Sequence, residues 1–471
     1  LIDRVKGKEI LVVGMARSGL AAAKLLAGSG AAKITVIDSK EPDQLTEAIA
    51  SLEKIAQVEV ITGTNSPEMV YPGLSMIIKS PGVSPSLELF QKADQLSVPV
   101  ISEIELAYHF LRTPIIGVTG TNGKTTTTSL IAAILRKARF DPVVAAGNIG
   151  NPLSGLAGKI SAQGMIVAEL SSFQLENIID FRATIAVFLN FAADHLDYHQ
   201  TLDRYLQAKS RIFANQAISD YAVLNLEDHY AVSMEKICRS TVTWFGRRPV
   251  PNGLGIKDNL IYLFRDEIPT FKVCSIDEIV LPGEHNLENC LAAGTAAWVA
   301  GADLQSIAAV LKSFQAIEHR LEQVRIIDGV EYINDSKGTN PGATMKALKS
   351  YPGRGIILIA GGKDKHADFL ELAKRIKDQV RFVVLLGETK VKLAEALTAI
   401  GFTAFSSTDT LREAVLSAAV EAESGEIVLL SPACASWDMF SSYEERGNRF
   451  KEIVSQLPGR RKISGVMKHD C

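Results

Sequence analysis

An α/β fold in three domains is predicted for this chain, on three observations. Its 471 residues exceed what one hydrophobic core holds and suggest about three domains at roughly 150 residues each. Short, almost wholly apolar runs alternate with helix-compatible stretches, the pattern of parallel strands buried on both faces. Glycine-rich or polar turns follow several of these runs, where an open parallel sheet keeps its ligand-binding edge. The expected domains are a Rossmann-like N-terminal domain (1–110), a central mononucleotide-binding, doubly wound sheet with a variant P-loop (111–317), and a C-terminal Rossmann-like domain (318–471).

The N-terminal domain opens with the apolar run 10–13, the turn Gly14-Met15-Ala16-Arg17-Ser18-Gly19 and an Ala-rich helix, then the run 34–37 ending at Asp38. This is a β-α-β unit of Rossmann type. A dinucleotide fingerprint wants glycine where Ala16 stands, so a nicotinamide cofactor is not expected. Asp38 can cap a turn or hold a ligand, and its neighbours leave both open. Further on, the run 76–79 leads into Ser80-Pro81-Gly82, and Ile101 begins a stretch ending at Glu105.

The central domain holds the most informative segment, GVTGTNGKTT at 117–126, between the apolar run 114–116 and the helix-compatible stretch 127–135. Strand, tight turn and helix N-terminus make a phosphate cradle. Glycines let backbone N–H groups approach the oxygens, the helix dipole favours the anion, Lys124 neutralises charge, and Thr125 can ligate Mg²⁺. The spacing is G-x-x-G-x-x-G-K-T-T, with Val118 where the usual P-loop has its first glycine. Runs at 143–146, 165–168, 185–189 and 222–224 predict a mostly parallel sheet, and β-like runs between 241 and 281 a small antiparallel flap. Glu169 follows one run and the segment 190–199 another. His195 and His199 are spaced i, i+4, but no glutamate lies between them and the segment reads as a loop, which argues against a zinc helix. Lys209, taken alone, reads as a surface lysine on a helix.

The C-terminal domain repeats the alternation with runs at 332–333, 355–360, 382–386 and 427–430. Polar segments at 334–341, 361–369 and 431–447 follow three of them, at the expected binding edge.

Composition narrows the classes. Apolar residues make up 47% and charged residues 22%, as in a soluble globular protein. A net charge of −3 gives no basic field for nucleic acid or an anionic membrane, so an anionic substrate must meet local Lys and Arg clusters. Cys238, Cys274, Cys290, Cys434 and Cys471 show no paired spacing, which fits a reducing cytoplasm and leaves Cys434 a packed thiol. Arg17 and Lys24 interrupt the N-terminal apolar stretch that would otherwise resemble a secretory signal. No apolar run approaches the roughly 20 residues of a membrane helix.

With these motifs in this order, essentially the whole chain resembles the Mur ligase superfamily, whose ATP-dependent enzymes form an amide between a carboxylate and an amino acid's nitrogen. The resemblance implies ATP at Gly120, Thr121, Asn122, Gly123, Lys124, Thr125, Thr126, Asn286, Asn289, Arg320 and Asp335, with capping an equal alternative for Asn286. It implies two Mg²⁺ sites drawing on Thr125, Glu169, His195 and Lys209, the last as a CO₂-derived carbamate. Lys124, His195, Lys209 and Lys337 are its implied catalytic residues. Ser18, Asp38, Ser80, Pro81, Gly82, Asn148 and Ser171 would hold a UDP-linked substrate. The 431–447 segment, SPACASWDMFSSYEERG, resembles the D-glutamate-adding members, which places Thr339, Lys365, Ser436 and Tyr443 at the amino acid. Implied partners are UDP-N-acetylmuramoyl-L-alanine, D-glutamate and ATP, with no nucleic acid or membrane and a monomeric chain. A folylpolyglutamate synthetase is an alternative that shares the central loop without the N-terminal domain. A nucleotide-dependent sensor of a cell-wall precursor is another, against which the two polar sets around Glu169 and Lys337 argue.

Overall fold

The computed structural model describes residues 5–315, 318–364 and 367–459. It forms two compact units, Leu1–Ile279 with Glu288–Ser313, and Val280–Leu287 with Phe314–Cys471. Three α/β sheets are distributed over them.

Unit 1 carries two sheets. The first is parallel, in the order β3-β2-β1-β4-β5, with β1 at Glu9–Val13, β2 at Lys33–Asp38, β3 at Val58–Thr62, β4 at Met76–Lys79 and β5 at Val100–Ser102. Val12, Ile34 and Met76 enter one core, and Leu11, Ile37 and Ile77 another. Burial on both faces is why these strands read as unbroken apolar runs.

The second sheet has the order β14-β13-β12-β11-β10-β9-β6-β8-β7. Its strands are β6 (Ile115–Thr119), β7 (Val143–Gly147), β8 (Met165–Glu169), β9 (Ile185–Phe188), β10 (Tyr221–Asn225), β11 (Thr241–Phe245), β12 (Asn252–Lys257), β13 (Leu260–Arg265) and β14 (Ile268–Ser275). The expected flap is the antiparallel set β12–β14, and it extends the parallel sheet through a short β11–β12 pairing. Chain order reverses beside β6, which lies between β8 and β9; such a reversal opens a crevice at the carboxyl ends of the strands.

The helix Glu103–Tyr108 fastens the two sheets of unit 1. The Glu105 carboxylate accepts the N–H groups of Ile179, Asp180 and Phe181 at 2.8, 3.0 and 2.8 Å. Glu103 accepts from Ser154 N–H at 2.5 Å, and burial pushes its carboxyl up to about 7.

Unit 2 holds the sheet β15-β16-β20-β17-β18-β19, with β15 at Glu322–Ile327, β16 at Val330–Asn334, β17 at Ile356–Gly361, β18 at Phe382–Leu386, β19 at Phe405–Ser407 and β20 at Ile427–Leu430. Only β15 pairs antiparallel among these described strands. Because β20 lies between β16 and β17, the segments leaving these three strands share one edge. Asp335 N–H donates to Leu430 O, and Gly361 N–H to Pro432 O.

Candidate active site

The phosphate loop forms where it was expected. β6 ends at Thr119, the helix Lys124–Lys137 begins after Gly123, and Gly123 takes a left-handed φ of 87° with no side chain capping the helix. A Cβ at Gly123 would stand 2.2 Å from Asn289 Oδ1. The Lys124 ammonium donates to the carbonyls of Gly120 and Thr121, both at 2.9 Å. The segment leaving β9 is stitched to the loop. Asn190 accepts from Asn122 N–H at 2.9 Å and donates to Asn122 O at 3.1 Å, while Thr121 Oγ1 accepts from Ala192 N–H at 3.0 Å. Sequence reasoning gave Asn190 no role, although its place after a strand was a usable signal.

Glu169 ends β8 opposite Val118 of β6 and is 2% exposed. Its Oε1 accepts from Asn148 Nδ2 at 2.8 Å, and its Oε2 is buried with no hydrogen-bond partner. An unpaired buried carboxylate oxygen is costly, and a cation satisfies it. The hydroxyl of Thr126, in the first turn of the loop's helix, is likewise buried without a partner. Thr125 is also buried there.

Lys209 corrects its reading as a surface residue. It sits near the end of the helix Leu202–Ser210, 1% exposed, and donates to Gly120 O at 2.8 Å, the carbonyl that Lys124 also uses. Its ammonium lies 4.6 Å from the Tyr205 ring centroid. Burial, reinforced by Lys124, holds its pKa well below the usual lysine range, against smaller opposing effects of Asp194 and Glu169. The neutral amine so favoured is nucleophilic.

The segment read as a loop contains a one-turn helix, Leu196–His199, entered through His195 at φ 53°. Its rings gather on Phe173, which lies edge-on to His195 at 4.9 Å and stacks on His199 at 5.4 Å. His195 Nε2 is 3.7 Å from Asp194 Oδ2, while the buried His199 Nε2 lies 2.9 Å from Ser172 Oγ. Burial lowers the His199 pKa. The two histidines thus have different partners. Ser171 forms a capping box with Gln174, so its hydroxyl is engaged with the helix Ser172–Leu175.

In the first sheet, the Asp38 carboxylate accepts Met15 N–H at 2.7 Å and Lys40 N–H at 3.0 Å, the turn-capping role left open by sequence. Ser80 Oγ donates to Gly14 O at 3.0 Å. The turn at 14–18, Asp38 and Ser80-Pro81-Gly82 therefore share one strand edge. Ser18 is half-buried in the first turn of Arg17–Gly28, whose N-cap, Ala16, supplies no side-chain acceptor. That helix start leaves N–H groups for an anion.

Asn286 does not cap its helix. The helix Glu284–Val299 begins before it, and its amide donates to Pro282 O at 2.8 Å. Asn289, one turn on, accepts from the Thr127 hydroxyl at 3.3 Å, under the phosphate loop.

In unit 2, Asp335 Oδ2 accepts from the Ser431 hydroxyl at 2.7 Å and Oδ1 from Leu321 N–H at 3.3 Å, and burial raises its carboxyl to about 6. Lys337 Nζ lies 5.3 Å from the Tyr443 ring centroid. Thr339 is half-buried beside it, Ser436 is buried in the turn after β20, and Arg320 has its Nε buried without a partner. Lys365 falls outside the described residues. Arg446, which had no assigned role, is buried and donates to Ser336 Oγ and O at 3.0 and 2.9 Å and to Cys434 O and Ala435 O at 3.2 Å. Lys363 pairs with Glu388 at 2.6 Å, and the Cys434 thiol, pushed up to about 11 by burial, packs 3.2 Å from Thr389 Oγ1.

A glycine cradle at a sheet reversal, beside a carboxylate suited to a cation, defines a nucleotide-using enzyme of the α/β class. Family models then agree along the chain: 8–102 matches the Mur ligase MurD-like N-terminal domain, 118–297 the Mur ligase middle domain, and 319–434 the Mur ligase glutamate ligase domain. The chain belongs to the Mur ligase family. It is 46% identical to the UDP-N-acetylmuramoylalanine--D-glutamate ligase of Pelotomaculum thermopropionicum over 96% of this chain and 98% of that one. Against the ligase of the same name from Clostridioides difficile it is 43% identical, over 96% and 99%. Among solved structures, the UDP-N-acetylmuramate-alanine ligase of Thermotoga maritima aligns with a TM-score of 0.59 at 19% identity, over 95% and 99% of the two chains. The pseudomurein peptide ligase type C of Methanothermus fervidus aligns at 0.58 and 17%, over 96% and 100%. At such identities the structural likeness speaks to the fold.

Proposed function

We propose that this chain is an ATP-dependent, ADP-forming ligase that joins D-glutamate to UDP-N-acetylmuramoyl-L-alanine in peptidoglycan precursor synthesis. The near-full-length likeness to relatives bearing that name supports the substrates. One structural observation carries the chemistry: the buried, unpartnered Oε2 of Glu169 at the end of the strand next to the phosphate loop.

A carboxylate resists attack by an amine until one of its oxygens becomes a leaving group. In this reading an oxygen of the substrate carboxylate attacks the γ-phosphorus of ATP, the bond to the β–γ bridging oxygen breaks, ADP leaves, and an acyl phosphate forms. The neutral D-glutamate amine adds to the acyl carbon, the tetrahedral intermediate collapses, and phosphate leaves as the nitrogen gives up a proton. The 120–123 loop, Thr126, Asn286, Asn289, Arg320 and Asp335 bind and orient ATP. Lys124 and Lys337 stabilise charge on the transferring phosphoryl. Mg²⁺ bound by Thr125, Glu169, His195 and the Lys209 carbamate would supply further charge neutralisation on the phosphates.

For Lys209, the neutral amine adds to the carbon of CO₂ and releases one proton, giving an anionic carbamate. Its depressed pKa supports that step. Ser18, Asp38, Ser80, Pro81 and Gly82, with Asn148 and Ser171, hold the UDP-linked substrate. Thr339, Lys365, Ser436 and Tyr443 receive the D-glutamate carboxylates. The same reading keeps the 1–110, 111–317 and 318–471 division, a monomer, and a cytoplasmic setting. No described helix is long and apolar enough to cross a membrane.

The test is ADP and phosphate release by the purified chain against a panel of amino acids and UDP-muramyl acceptors. Turnover that requires both D-glutamate and UDP-N-acetylmuramoyl-L-alanine supports the reading. ATP hydrolysis indifferent to either, or preference for another amino acid, overturns it.

A further inference from the structure

We propose that Lys79, through Tyr198 and Glu176, is a positioning residue that sets the His195 segment against the turn holding the UDP-linked substrate. The inference rests on the roles given above to Ser80-Pro81-Gly82 and His195. Lys79 itself touches no reactant.

Lys79 is the last residue of β4, after Met76, Ile77 and Ile78, and it is 4% exposed. Placing an ammonium at the end of a doubly buried strand is expensive unless it is specifically paired. Its pairing is specific. The ammonium donates to the Tyr198 hydroxyl oxygen and lies 3.5 Å from Glu176 Oε2. The faces of the Tyr198 and Phe90 rings are 5.1 and 5.9 Å away. The Tyr198 hydroxyl in turn donates to Glu176 Oε2 at 2.8 Å. An ammonium, a phenol and a carboxylate thus form a directed chain in which each bond polarises the next.

The three groups come from three different strand ends. Lys79 leads directly into Ser80, whose hydroxyl holds the turn at Gly14. Glu176 follows the short helix after β8, which ends at Glu169. Tyr198 lies on the single turn that starts at His195. Phe173 transmits the constraint within the central sheet, since it contacts Tyr198 edge-on at 4.5 Å as well as His195 at 4.9 Å. A shift of Tyr198 therefore disturbs His195, and a shift of Lys79 disturbs Ser80. The chain of hydrogen bonds makes those two displacements one.

A purely structural strut would affect all ligands alike, whereas this arrangement acts on one substrate and on the chemical step. The experiment compares Lys79→Met, Tyr198→Phe and the double variant in the full chain, by steady-state phosphate release with each substrate varied in turn. Each single variant is expected to raise KM for the UDP-linked substrate and to lower kcat by about tenfold, the range seen for residues that orient functional ligands. KM for ATP should stay within about twofold, and the double variant should be no worse than the poorer single, because the two residues act as one unit. Tyr198→Phe removes one oxygen and keeps the ring, so it keeps the test sharp if Lys79→Met fails to fold. Unchanged kinetics in Tyr198→Phe, strictly multiplying losses in the double variant, or equal losses for all three substrates overturn the proposal. If the unmodified chain shows no turnover dependent on D-glutamate, the functional reading fails; if it turns over and the variants match it, only this inference fails.

Discussion

At the end of β8, Glu169 keeps one buried oxygen without a donor, whereas at the end of β16 both oxygens of Asp335 are taken, by Ser431 and by Leu321 N–H. The same contrast holds for the basic residues. Lys209 and Lys124 crowd onto one carbonyl, that of Gly120, while the Arg446 guanidinium finds two oxygens of Ser336 and the carbonyls of Cys434 and Ala435. The crevice beside β6 is left incomplete, with groups waiting for a cation or an anion. Beside β20 the Asp335 carboxylate and the Arg446 guanidinium are satisfied by the frame itself, while Arg320 keeps its buried Nε without a partner. One edge leaves a carboxylate oxygen to be satisfied from outside the chain, the other holds its acid and its guanidinium with hydrogen bonds of its own.

Removing Arg446 should break the satisfied side most severely. Arg446→Met leaves buried acceptors unpaired and should cost about 3–5 kcal/mol, the range for breaking a buried charged network. Hydrogen exchange resolved by peptide should accelerate over 330–361 and 427–456 and stay unchanged over 115–147. Exchange altered equally in both units would erase the contrast.

On the incomplete side, Lys209→Ala should lower kcat roughly 10²–10³-fold, the loss typical of one electrostatic group at a reacting centre. A small carboxylate such as formate at high concentration should restore part of the rate. A fully active Lys209→Arg would sink the carbamate, because arginine keeps its positive charge.

Asp335 sharpens the comparison through pH. Its folded-state pKa is raised to about 6 from 3.8, so between those values the folded chain binds more protons than the unfolded one. Stability should therefore fall as pH rises through that window, by up to about 3 kcal/mol, and level off above it. Asp335→Asn should flatten that part of the curve, measured by chemical denaturation from pH 4 to 7. An unchanged pH slope in the variant would show that Asp335 ionises without penalty.

The smallest effect belongs to Glu169→Gln. The amide can still accept from Asn148, but it lacks the charge for a cation, so half-maximal activity should need about 10–100 times more Mg²⁺. Direct Mg²⁺ titration should weaken in parallel. Equal Mg²⁺ affinity in both proteins would assign the orphaned oxygen to something else.

Most strands and several of the polar edge segments could be read from the chain because burial on both sheet faces leaves a run that only apolar residues fill. β3, β15 and β19 escaped notice for the opposite reason, being edge strands with partly exposed positions. The phosphate loop was legible because its glycines and Lys124 act locally. Arg446 and Lys79 were not, since their partners Ser336 and Tyr198 lie 110 and 119 residues away in the chain. Asn286 shows the limit of local rules: it stood where a cap could be, but the helix starts at Glu284. Lys209, taken alone, reads as a surface lysine and is in fact buried, because nothing in its neighbours announces that the helix face it occupies turns inward.

Gly123 has a consequence for how such a chain can change over generations. Any side chain there would collide with Asn289 Oδ1, 2.2 Å from the would-be Cβ, and that same oxygen accepts the Thr127 hydroxyl. Positions 123 and 289 are therefore sterically coupled, and a change at one is felt at the other. A side chain at 123 would meet both the left-handed φ and Asn289, so shortening 289 lifts only one of the two obstacles and strands Thr127.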